Sequence, residues 1–387
     1  MSTFGIVSEF NPFHRGHAYL FEKAREAGAD KIVCIMSPNA VQRGELAITY
    51  KYTRARAAIE CGADLVLELP YPWCSASAEF FAEAAVYIAS FFCDTLFFGS
   101  EKGNTDLLFK AADICESESF IEAYKSRTAG GEGAATAFVV LLEENGAADL
   151  GSNDLLGVSY IRSVVRNGYD MDIKTTQRLG AAYNDETVTD GELPSASAVR
   201  NLLERGELER AMSCLPEPSA RLLLEAAERG EIASNEEMLD AALMYFRLHS
   251  GEDFGCIAEC GGGLANRICA AAKEARCGAE LIELTKTKVY TNARIKRAIL
   301  YCLTKVCEDM MRARPEYTLL LAASDKGREL LSVNRKSGGI RVVTKPADAP
   351  QESEQYRLSA KLDSIFTLAL ENKKSASDML KKSAYIG

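Results

Sequence analysis

Short apolar runs alternate with helical periodicity through the first half of the chain. Residues 4–7 (FGIV) read as a buried strand, and residues 31–36, 64–69 and 95–98 repeat that signal. Between them the pattern predicts helices over residues 18–24, 54–59 and about 76–89. Helical periodicity continues over 134–144 and 155–165, and a fifth strand is expected around 171–176. Strands at this spacing, separated by helices, form a parallel sheet whose ligands collect at the strands' C-terminal ends. After an acidic stretch at 184–192 the strand signals fade. From Ser197 onward the text is mainly helical, rich in Ala, Leu, Glu and Arg, with breaks at Pro216 and Pro218. The reading is an α/β chain, with a parallel-sheet domain over residues 1–190 and a mainly helical domain over 191–387.

A length of 387 residues accommodates two such domains. The net charge of −10 argues against indiscriminate polyanion binding, although a local basic face can act inside an acidic protein. Lys286, Lys288, Arg294, Lys296 and Arg297 form such a cluster, with Tyr290 among them as a stacking surface. It reads either as an RNA contact or as a solvated helix face. The twelve cysteines include no CxxC pair and fall mostly among apolar residues, which points to free buried thiols and a reducing cytoplasm. No secretory signal is read at the start. The longest largely apolar stretch, residues 84–93, is too short to span a bilayer.

The chemistry concentrates where the first strand ends. Two of the three histidines, His14 and His17, stand three residues apart at the predicted helix entrance, after a break at Asn11-Pro12. That spacing puts both rings on one helix face, where free backbone N–H groups already favour an anion. Gly16 keeps side-chain bulk away from the pair. By itself the pair reads as loop histidines or as a phosphate site, and its place after the first strand of an α/β pattern favours phosphate. A second serine-rich helix entrance, SASAVR at residues 195–200, offers Ser197 and Arg200, which alone would read as an ordinary cap and a surface arginine.

Strand, HxGH and helix together resemble the HxGH nucleotidyltransferases, whose second signature is matched by SASAVR. Residues 37–45 (SPNAVQRGE), Lys51 with Arg54, 62–70 (GADLVLELP), 98–101 (FGSE), 153–157 (NDLLG) and 178–181 (RLGA) narrow the likeness. With 263–268 (GLANRI) and 286–291 (KTKVYT), they resemble the tRNA(Met) cytidine acetate ligase family over most of the chain. The resemblance implies a Rossmann-like nucleotidyltransferase domain followed by a helical, tRNA-contacting one. It also implies a two-step reaction. ATP and acetate give acetyl-adenylate and pyrophosphate, and the wobble cytidine of tRNA(Met) then takes the acetyl group on N4.

The ATP site implied by this likeness comprises Val7, Ser8, Glu9, Phe10, Asn11, Pro12, Phe13, His14, Arg15, Gly16, His17, Ala18, Tyr19 and Leu20, with Gly99, Asn153 and Arg178. Gly99 would let the nucleotide approach the backbone. His14, His17, Arg43, Ser197 and Arg200 are the expected catalytic groups, since a leaving pyrophosphate needs donors where its charge develops. Lys286, Lys288, Tyr290, Arg294 and Arg297 are the expected RNA contacts. No carboxylate cluster has metal-ligand spacing, so no metal ligand is assigned and Mg²⁺ is left open. Pro38, Ala40, Tyr50 and Asp154 depart from the family pattern, and are expected on the acetate and tRNA side. A small-molecule nucleotidyltransferase and a non-catalytic RNA-binding relative are the alternative functions.

Overall fold

The structure is a computed structural model that describes residues 2–178 and 193–387. One mixed, mostly parallel sheet runs through it. In chain order its strands are β1 (Thr3–Ser8), β2 (Lys31–Met36), β3 (Leu65–Glu68), β4 (Thr95–Ser100), β5 (Asp172–Gln177), β6 (Tyr317–Ala323), β7 (Arg341–Val343) and β8 (Tyr385–Ile386). Across the sheet the order is β5-β4-β1-β2-β3-β6-β7, with β8 also pairing β6. β1 lies parallel to β2 with Thr3 opposite Lys31 and Ser8 opposite Met36, and β4 and β5 extend the parallel set on the other side.

The five strands expected in the first half are present, and β2 and β3 are buried along their whole length. The second half is mainly helical, as expected, but it also adds three strands to the sheet. β6, YTLLLAA, is wholly buried and joins the sheet antiparallel to β3, with Leu65 opposite Ala323. The sheet is therefore completed by strands from beyond residue 300. The expected boundary near residue 190, and residues 179–181 of the quoted RLGA motif, lie outside the described residues.

Three helices set the stage for chemistry. Arg15–Glu26 follows β1, Ala196–Glu204 follows the undescribed segment, and Asn292–Thr304 comes from deep in the second half. The second is seated on a small apolar cluster of its own, where Val199 and Leu202 meet Ile48, Leu215 and Leu223. The cysteines are free thiols, most of them buried, though Cys256 is exposed. No helix among the described residues is long and apolar enough to cross a membrane.

Candidate active site

His14 is the N-cap of helix Arg15–Glu26. Its Nδ1 accepts from the Gly16 N–H at 3.0 Å, while its own N–H donates to Nδ1 of His17 at 3.2 Å. The rings lie 3.8 Å apart between centroids, and His17 sets its edge on Phe10. Gly16 is required by this approach, because a Cβ there would stand 2.8 Å from Cε1 of His14. Burial, with Arg178 and Arg200 nearby, pulls the His14 pKa down to about 3. Burial, His14 and Arg178 hold His17 well below its ordinary value. Both rings are thus neutral near pH 7. With each Nδ1 accepting, the ring proton sits on Nε2, so the pair offers two N–H donors and no free acceptor nitrogen.

These rings open into a cavity of about 910 Å³. Of the expected nucleotide run, Val7, Ser8, Glu9, Phe10, Asn11, His14, His17 and Leu20 line it, whereas Pro12, Phe13, Arg15, Gly16, Ala18 and Tyr19 do not. Arg15 is exposed with its N–H bonded to Cys214 O, and the Phe13 carbonyl accepts from Ser219. Arg43, Gly99, Asn153, Arg178, Ser197 and Arg200 all reach the cavity. Arg200 donates to Asn11 O at 2.8 Å and to Ser197 Oγ at 3.3 Å, which ties the second helix entrance to the first.

Gly99 lines the cavity beside Arg178. A Cβ there would lie 3.0 Å from Cγ of Arg178, so the missing side chain makes room for the stem of that arginine. Asn153 is fixed by Glu101, whose carboxylate accepts its backbone N–H and its side-chain amide at 3.2 and 2.6 Å.

The cavity also recruits residues from the second half. Arg294 and Arg297 line it, each paired to Glu259 at 3.4 and 2.8 Å, and Lys296 pairs with Glu45 at 2.6 Å. Burial pushes the Glu45 carboxyl up, but Lys296, Arg200 and Arg43 outweigh it and hold it below the usual range. The other expected RNA residues stand apart. Lys286 and Lys288 are exposed, and Tyr290 bonds to Gly262 O with Arg294 over its ring. Sequence reasoning did not single out Glu45 or Glu259. The arginine partners of the Glu259 carboxylate, Arg294 and Arg297, are 35 and 38 residues away, and no local pattern links them to it.

Pro38, Ala40, Tyr50 and Asp154 fall outside the cavity lining. Ala40 and Tyr50 are buried, and Tyr50 packs edge-on against Phe366. Asp154 lies wholly buried under the β4 end, accepting from Ser100 Oγ, Gly151 N and Lys102 N. Lys51 is buried too, paired to Glu68 at 2.8 Å, with Asp363 at 3.9 Å. Asp363 in turn holds Asn39, and Asn39 accepts the Lys51 N–H, so this buried charge group braces the 39–47 hairpin beneath the cavity. Among the described residues no group of three or more His, Cys, Asp or Glu is placed to hold a metal.

Residues 1–381 match the family described as HIGH nucleotidyl transferase. The tRNA(Met) cytidine acetate ligase of Listeria monocytogenes is 35% identical over 96% of both chains. That of Clostridium perfringens is 32% identical over 98% of both, and that of Bacillus subtilis 31% over 96% of this chain and 93% of its own. Among solved structures, apo Thermotoga maritima TmcAL is 28% identical and superposes over the full length of both chains with a TM-score of 0.91. The same protein bound with alpha-thio ATP gives 0.89 at 27% identity, covering 100% of this chain and 99% of that one.

Proposed function

The chain belongs to the HIGH nucleotidyl transferase family, among the tRNA(Met) cytidine acetate ligases, and we propose that it activates acetate with ATP and acetylates N4 of the wobble cytidine of elongator tRNA(Met). The observation that carries the reading is the His14–His17 pair, two neutral imidazoles with Nε2–H donors at a helix N-terminus beside Arg178 and Arg200.

In the first step an acetate oxygen attacks the α-phosphorus of ATP, and the bond to the bridging oxygen of pyrophosphate breaks. Negative charge grows on that oxygen, where His14, His17, Ser197, Arg200 and Arg43 supply donors and positive charge. Residues at the ends of β1 and β4, together with Asn153 and Arg178, hold the nucleotide. In the second step the cytidine amine attacks the acetyl carbonyl and AMP leaves. Lys286, Lys288, Tyr290, Arg294 and Arg297 face the RNA, and the enzyme works in the cytoplasm with its tRNA.

Acetate should support ATP–pyrophosphate exchange without tRNA, and N4-acetylcytidine should appear once tRNA(Met) is added. His17→Ala should cut exchange by about 10²-fold, the scale of a lost transition-state donor. Exchange that ignores acetate would defeat the reading, and full exchange in a folded His17→Ala enzyme would remove His17 from it.

A further inference from the structure

Acylating the cytidine amine releases a proton, and the residues described so far include nothing to receive it. The N4–carbonyl bond forms, the bond from that carbon to the AMP phosphate oxygen breaks, and AMP leaves with the electron pair. One N–H proton must then leave the nitrogen. Neither imidazole can take it, because each Nδ1 already accepts a backbone N–H and each Nε2 carries a proton.

The cavity's carboxylates differ sharply in what they already hold. Glu45 is bound by Lys296, Glu259 by Arg294 and Arg297, and Glu79 by Arg166 at 2.7 Å and Arg162 at 3.5 Å. Glu308 is exposed at the rim. Glu9 is the exception. It stands directly after β1, at the sheet end where a ligand of this fold sits. Oε1 accepts the Gln42 N–H at 2.8 Å, and its backbone carbonyl accepts from the buried Arg54 guanidinium. Among the described residues no cation stands within ion-pairing distance of its carboxylate, and Oε2 has no hydrogen-bond partner.

From this geometry we infer that Glu9, in the cavity wall, is the general base of acetyl transfer, accepting the N4 proton on Oε2. The assignment rests on the acetate-ligase reading above. Among the groups facing Glu9, Arg200 and Arg43 lower its pKa and Glu45 raises it, while the Gln42 bond also lowers it; Arg54 and Cys74 face it as well. Burial is the largest influence, and the carboxyl stands above its ordinary value, which makes it a better proton acceptor than an exposed carboxylate.

The test uses full-length enzyme mixed with ATP and acetate, then with tRNA(Met), reading acetyl transfer in a single turnover beside acetate-dependent exchange. Glu9→Gln keeps an acceptor for Gln42 but cannot take a proton. It should lower transfer by about 10²-fold more than it lowers exchange, and abolish the rise of transfer rate with pH. Glu9→Asp should restore part of both, which guards against a merely misfolded glutamine variant. Equal losses in exchange and transfer, or a pH rise that survives in Glu9→Gln, would overturn the assignment while leaving the ligase reading intact. Absence of acetate-dependent exchange in the unsubstituted enzyme would overturn both.

Discussion

A buried imidazole that stays neutral leaves a mark on stability. His14 has a folded pKa of about 3, pulled down chiefly by burial, against an ordinary value near 6.5. Between these values the unfolded chain binds a proton that the folded chain refuses. Stability is therefore complete above pH 6.5 and is lost progressively as pH falls toward 3. At pH 5 the loss from this residue should be about 2 kcal/mol. Urea titrations at pH 7.5 and 5 check this: His14→Asn should lose less stability on acidification than the unsubstituted protein. The same loss in both would clear His14 of the effect. The pair was legible because HxGH spacing fixes a cap and a helix face locally. Glu9, adjacent in sequence, was named only as one of a run, since its distinction is the absence of a cation that Glu45 and Glu259 possess.

At the scale of elements, the hairpin over 39–47 meets helix Asn292–Thr304 through Gly44. This glycine has φ +75°, and a Cβ on it would stand 2.4 Å from the backbone nitrogen of Arg297. Any side chain must push hairpin and helix apart, and with them Glu45 from Lys296. Gly44→Ala should cost about 2 kcal/mol or more, from a left-handed backbone plus overpacking, and should lower exchange because Arg43 and Glu45 flank it. Gly62→Ala is the control, since Gly62 also has positive φ, at +110°, but faces open space. Equal stability losses in the two variants by urea denaturation would show that the contact does not matter.

The first five strands were readable from apolar runs bounded by breaks. β6 was not, because its Leu- and Ala-rich text leads straight into the helix Asp325–Lys336 and reads as helical. Only the pairing with β3, some 250 residues earlier, makes it a strand.

Over the whole molecule, one cavity draws on both halves of the chain, and this divides the basic cluster in two. Arg294 and Arg297 line the cavity and share the single carboxylate of Glu259, whereas Lys286 and Lys288 stand exposed outside its lining. The lining of that cavity is not confined to one half of the sequence. Replacing Lys286 and Lys288 by Gln should weaken tRNA binding and lower the log–log salt slope by roughly 0.7–0.9 per lost phosphate contact. Acetate-dependent exchange should persist, because neither lysine lines the cavity. Replacing Arg294 and Arg297 should instead reduce exchange as well, since Glu259 would be left in the cavity wall without its partners. Filter binding over a salt series, read beside exchange, separates the two outcomes. An unchanged slope in the lysine variant would make that pair a solvated surface. In a chain carrying a net charge of −10, RNA attraction would then have to come from the cavity mouth itself.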